Sequence, residues 1–178
     1  LITSLAGPVE FEVNMLYEGA LKGMEPAEKL AFRKDVNVLN EAVSAAAITF
    51  EDAEKRVKGM ETALERMAEP PGGLYEDLYA IKKQLAEFRE QVWGDPAKQE
   101  LSEYDYPTVS DRLGNAYDGA RDLNYGPTGT QVISLELARQ QFEGLKEGLL
   151  VIVNETLPVF EQKLIDAGAP WMNGQPLK

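Results

Sequence analysis

The feature that most constrains this chain is a seam of apolar residues that begins at Phe32 and runs through Val36, Leu39, Val43, Ala46, Phe50, Ala53, Val57, Met60, Leu64 and Met67, in alternating steps of four and three. Such a repeat keeps one narrow stripe on one side of an α-helix and commits it to packing against other helices. Thr49-Phe50-Glu51-Asp52 resembles a helix start, but a break there would throw the stripe out of phase, and the stripe stays in phase. The reading is therefore one uninterrupted helix near residues 26–68. It opens at Glu25-Pro26, with proline in the first turn, and stops at Glu69-Pro70-Pro71-Gly72-Gly73.

Leu74, Leu78, Ile81, Leu85, Phe88 and Val92 repeat the pattern through a second helix that ends near Trp93-Gly94-Asp95-Pro96. The short Pro/Gly connection makes the pair an antiparallel hairpin. A polar linker with Glu100, Glu103 and Asp105 follows, and Tyr106-Pro107 opens a third helix with the seam Val109, Leu113, Ala116, Ala120 and Leu123. After Asn124-Tyr125-Gly126-Pro127, Thr128 or Thr130 can cap a fourth helix. It carries Leu135, Ala138, Phe142, Leu145, Leu149 and Ile152 on one stripe, and Leu150, Val153, Leu157, Phe160 and Leu164 on a second, which predicts contacts on two sides. Pro158 lacks a backbone donor and crowds the carbonyl of Asn154, a defect of about 3 kcal/mol in a straight helix, so a kink is expected there.

The expected fold is all-α: an antiparallel three- to four-helix bundle with one very long heptad helix and a short extended N-terminal segment. Residues 1–24 read as a linker or the tail of an upstream β-domain, and 25–178 as the helical bundle. Val9, Phe11 and Val13 alternate with Glu10, Glu12 and Asn14 in the two-residue period of a strand, although Val9, Val13, Leu16 and Ala20 also fit a helix. The helix lengths leave two arrangements open: the second and third helices tile along the first, or all four stack side by side.

Composition removes many functions. With 44% hydrophobic residues in 178, the chain is long enough to bury a sizeable core. The 18 Lys+Arg against 30 Asp+Glu give a formal charge of −12, which repels nucleic acid and anionic lipid. With no Cys and no His, thiolate or imidazole metal sites and Cys- or Ser–His nucleophiles are excluded. No stretch approaches the ~20 apolar residues of a membrane span. A start at Leu1 rather than Met reads as a processed or excised segment, with any targeting signal upstream. Asn154-Glu155-Thr156 spells a glycosylation sequon, but inside an apolar helical stretch it reads as coincidence.

Several segments resemble the C-terminal helical region of large bacterial proteins whose upstream part is a β-propeller of BNR or sortilin-like (VPS10-like) repeats, often described as glycosyl hydrolases. They are Ala6-Gly7-Pro8-Val9-Glu10-Phe11-Glu12-Val13, Gly94-Asp95, Pro107-Thr108-Val109-Ser110-Asp111-Arg112-Leu113 and Asp166-Ala167-Gly168-Ala169-Pro170-Trp171. The end departs from the pattern, reading Trp171-Met172-Asn173-Gly174 where threonine and proline are expected after the tryptophan. The resemblance implies a position rather than a reaction, since the family's proposed chemistry belongs to the propeller. It implies an exported parent, periplasmic or extracellular, and a partner in the upstream β-propeller domain of the same chain or in another protein.

Candidate sites are few, and no catalytic, cofactor or metal residue is assigned. Abundant carboxylates invite a glycosidase reading, but Glu51/Lys55, Glu54/Lys58 and Glu61/Glu65 flank the heptad seam, where charge solvates a helix face. Glu103, Asp105 and Asp111 are too loosely spaced for a calcium loop. Tyr104, Tyr106, Tyr117, Tyr125 and Trp171 are the one aromatic grouping that could make a binding surface; the plainer reading has the tyrosines stapling the ends of the third helix and Trp171 folding the tail back onto the bundle. The leading expectation is a non-catalytic accessory or interaction domain. Its rivals are a carbohydrate-binding or glycoside-hydrolysing domain and a self-associating coiled coil forming a homo-oligomer.

Overall fold

The computed structural model describes residues 7–14, 19–103, 105–121 and 124–170. Among them the chain is all-helical: α1 (Pro26–Glu65), α2 (Leu74–Trp93), α3 (Pro96–Glu100), α4 (Val109–Arg121), α5 (Gly129–Val151) and α6 (Leu157–Asp166), with a π-helical turn, Ile152–Thr156, joining the last two. Helix α1 is unbroken through Thr49, and 40 residues at ~1.5 Å each make a rod of about 60 Å. Its seam is the core. Phe32, Val36, Leu39, Val43, Ala46, Phe50, Ala53, Val57, Met60 and Leu64 are all buried, and Met67, just past the helix end, is partly so. Glu25 and Glu28 form a reciprocal capping box behind Pro26.

Tiling is the arrangement adopted. Helix α2 lies antiparallel along the C-terminal half of α1, pinned by Lys82–Glu61 (2.7 Å) and Arg89–Glu54 (2.6 Å). On this partly solvent-exposed flank Glu54 and Glu61 reach across to α2, and Lys55 pairs with Asp52 (3.1 Å). The segment read as a polar linker contains α3, a single turn capped by the Asp95 carboxylate, which accepts from the Ala97 N–H at 2.9 Å. Helix α4 begins at Val109 rather than at Tyr106, because Thr108 and Asp111 cap it reciprocally: Thr108 N–H donates to Asp111 Oδ2 (2.9 Å) and Asp111 N–H to Thr108 Oγ1 (3.1 Å). It continues antiparallel along the N-terminal half of α1, where Lys29 Nζ donates to Asn124 O (3.0 Å) and Met24 N–H to Tyr125 O (2.9 Å).

The chain then turns and α5–α6 runs back parallel to α1. Small side chains bring α4 and α5 close: Ala116 and Ala138 are buried between them, Asn115 Nδ2 donates to Ser134 Oγ (2.7 Å), and a Cβ on buried Gly119 would come within 2.7 Å of Gln131 Oε1 and 3.0 Å of Pro127 Cβ. The expected kink at Pro158 takes the form of the π turn. Leu157 N–H donates to Ile152 O, five residues back, so the chain holds one residue more than a regular helix just before the proline that cannot donate. This corrects the two-stripe reading. The seam runs Leu135, Ala138, Phe142, Leu149, Ile152, then steps by five to Leu157, Phe160 and Leu164, all buried, while Leu150 is exposed. One face continues through the insertion. A Schellman exit ends α6, with Ala169 N–H on Leu164 O (2.9 Å), Gly168 N–H on Ile165 O (3.0 Å) and Gly168 at φ +78°.

Residues 7–14 form neither helix nor strand, and Val9, Phe11 and Val13 are 79, 84 and 83% exposed, so over this stretch the helical alternative is not adopted and the apolar side chains do not strap onto the bundle. The Trp171 tail, expected to fold back, lies outside the described residues.

Candidate functional site

The aromatic grouping that the fold assembles is a different one from the tyrosines. Phe50 sits in the α1 seam, Phe88 in the α2 seam facing it, and Trp93 is the last residue of α2, five positions on. Their rings meet at 5.5 Å (Phe50–Phe88), 5.4 Å (Phe50–Trp93) and 5.7 Å (Phe88–Trp93), the last pair edge to face. Such pairs contribute about 0.5–1.5 kcal/mol each beyond the area they bury. The Arg89 guanidinium lies 5.2 Å from the centre of the Phe50 ring while its Nη2 donates to both Glu54 oxygens, at 2.6 and 2.7 Å. A cation held between a carboxylate and an aromatic face is fixed from both sides.

Gly94, at φ +90°, turns the chain out of α2, and Gln99 Nε2 reaches back from α3 to Trp93 O at 3.0 Å. The result is an open cleft of about 470 Å³ walled by Phe50, Trp93, Arg89, Glu54, Glu51 and Gln99. It pairs an aromatic surface with polar groups, the chemistry that holds a sugar ring or a polar side chain. Glycoside hydrolysis sets two carboxyl groups on opposite sides of the substrate, about 5–9.5 Å apart. Glu51 and Glu54 lie three residues apart on one face of one helix, and Glu54 is already held by Arg89.

Behind the cleft, Lys98 on α3 bridges Glu90 and Asp105, each at 2.9 Å. Hydrogen bonds donated to Glu90 and then to Asp105 hold the Lys98 ammonium above its usual range, and the bond from Lys98, followed by that from the Tyr106 N–H, holds the Asp105 carboxyl below its own. Asp105 and Asp111, weighed above as loose calcium ligands, are thus engaged with Lys98 and with Thr108. Among the described residues no group of three or more acidic side chains is placed to hold a metal ion.

The tyrosines do not converge. Tyr106 precedes α4 and is 86% exposed; Tyr117, on the outer face of α4, is 47% exposed with Arg121 6.0 Å from its ring; Tyr125, past the far end of α4, is 41% exposed. Tyr125 packs against Gly19 of the N-terminal segment, where an added Cβ would come within 3.0 Å of its hydroxyl. Tyr106 makes no staple among the described residues, and Tyr104 and Trp171 lie outside them. The sequence signal for the real cluster was present in Phe50, Phe88 and Trp93, but as seam residues and a helix end they read as core.

These features define an all-α domain, three helices in cross-section, with a polar–aromatic cleft at its waist and no helix among the described residues long and apolar enough to cross a membrane. Comparison with protein-family models, with curated proteins and with solved structures gives no match.

Proposed function

We propose that this chain is a non-catalytic accessory or interaction domain of a larger exported protein, seated beside an upstream β-propeller. One observation carries the reading. Val9, Phe11 and Val13 alternate with Glu10, Glu12 and Asn14 directly before the bundle, and all three apolar side chains stand in solvent. An alternating segment with an exposed apolar face is suited to pair with a sheet edge, which would cover that face and satisfy its backbone. The resemblance to the helical C-terminal region of BNR or sortilin-like propeller proteins supports the same position. Hydrogen exchange tests it: the amides of residues 9–13 are expected to be protected in the parent protein and to exchange freely in the 178-residue chain. Free exchange in both removes the sheet-pairing role.

A second reading, carbohydrate binding, is favoured by the cleft, where Trp93 and Glu51 line one opening. A glycan array and a panel of chromogenic glycosides separate the two. The accessory reading expects no turnover; turnover that disappears on changing Glu51 or Glu54 to Gln in a folded variant would replace it with an enzyme. Self-association through the heptad seam has less to work with, since that seam is buried against α2, α4, α5 and α6 of the same chain.

A further inference from the structure

Helix α2 touches the α5–α6 rod through polar bridges at two points. Near one end Gln141 Nε2 donates to Gln91 O (3.5 Å), and near the other Lys163 Nζ pairs with Asp77 (2.7 Å). Between the bridges the two packed helices flank two open cavities of about 370 and 350 Å³, which adjoin at Gln84 and Thr156. From Asp77 to Gln91 on α2 the groove runs about 21 Å at ~1.5 Å per residue, roughly the length of four helical turns.

Its floor is the top of the core, Ile81, Phe88, Leu149 and Phe160, all buried. Its wall on the α5–α6 side carries Val151 and Val159, 48 and 58% exposed, and Gly144 and Gly148, where an added Cβ would meet nothing within 4 Å. The floor and this part of the wall are therefore apolar, the α2 side carries Gln84, Glu87 and Gln91, and the glycines leave room for another backbone to approach. The charge left over along the groove is negative. Lys163 is neutralised by Asp77, while Glu155 has no ion-pair partner among the described residues and Glu87 has only exposed Lys83 at 3.7 Å.

We infer that this groove binds one amphipathic helix of a partner protein, with an aliphatic stripe flanked by lysine or arginine. The inference rests on the interaction-domain reading above and supplies its surface. Helix-in-groove recognition needs an apolar trough of a few turns with complementary charge along the rim, and the rim here is acidic. A second copy of this chain is the poorer occupant, because at a net charge of −12 it brings acid to an acidic rim.

The test is titration of the chain with a synthetic peptide of about four helical turns, leucine at i, i+3, i+4 and i+7 and lysine on both flanks, followed by fluorescence anisotropy. Binding is expected to weaken with salt and to fall at least about tenfold in Gly148→Trp, whose side chain fills the trough. In Glu87→Lys/Glu155→Lys, where both changed side chains are exposed and the fold is undisturbed, preference should pass to a glutamate-flanked version of the peptide. This second variant keeps the test decisive should Gly148→Trp fail to fold. Absence of binding, equal binding to Gly148→Trp, or a dimer of the wild-type chain that Gly148→Trp dissolves would each overturn the assignment, the last by giving the groove to a second copy. Glycoside turnover would sink the accessory reading by a separate measurement, so the two failures are distinguishable.

Discussion

Arg56 and Glu161, 105 residues apart, meet as a bidentate pair across α1 and α6, Nε to Oε1 at 3.2 Å and Nη2 to Oε2 at 3.1 Å. That register exists because the π turn at Ile152–Thr156 takes up one residue before α6 begins. Without it, a regular helix would turn α6 by about 100° and carry Leu157, Phe160 and Leu164 off the core.

The surplus residue is therefore removable. Deleting Asn154, together with Pro158→Ala to restore the missing donor, should give a regular helix with the same seam and the same ion pair, and change stability by no more than about 1 kcal/mol. Deleting Lys58 from α1, whose seam has no surplus, should abolish cooperative folding. Urea melts of both variants check this, and an unfolded Asn154 deletion would mean the π turn is required by the packing.

The two glycines of α4 should respond oppositely. Gly114 faces open space, so Gly114→Ala is expected to stabilise by about 0.5–1 kcal/mol through helix propensity. Gly119 meets Gln131 and Pro127, so Gly119→Leu should cost about 1–3 kcal/mol by forcing α4 from α5. Equal melting temperatures for the two variants would contradict the close α4–α5 packing.

Val57 is buried in the C-terminal half of α1. Val57→Asp places an unpaired charge there and should unfold the domain, a loss of several kcal/mol against a typical total of about 5–15. A soluble variant with an unchanged thermal transition by circular dichroism would show that the seam is surface.

The Lys98 bridge gives a pH dependence with a defined sign. Asp105 is held below its usual range, so its contribution is present above that range and is lost as pH falls through the lowered folded value. Lys98 is held above its usual value, so its contribution is complete below that value and is lost only as pH rises through the raised one. The connection over residues 96–108 should stay closed through neutral pH and loosen in acid. Amide exchange of Tyr106 against pH, in wild type and Lys98→Met, reads this out; identical profiles would remove the bridge as its cause.

The helical class, the unbroken α1, the α1–α2 hairpin, a threonine cap before α5 (Thr128 or Thr130, of which the structure uses Thr128) and the glycine exit after α6 were legible in the residues, because each is set by local periodicity, capping chemistry or a backbone conformation only glycine adopts readily. Even the π turn had a sign, the step of five from Ile152 to Leu157 beside Pro158. Tiling over stacking was decided by tertiary structure alone, since Gly119, Ala116 and Ala138 bring α4 against α5 only once both helices lie on α1. Contact decided the site in the same way. Phe50, Phe88 and Trp93 become a cluster, and Glu54 a partner of Arg89, through α1–α2 packing across 35 residues of sequence. Short-range order follows from what each residue does to its own turn of chain, whereas a cleft, a groove or an ion pair depends on distances that appear only when separate helices share a core.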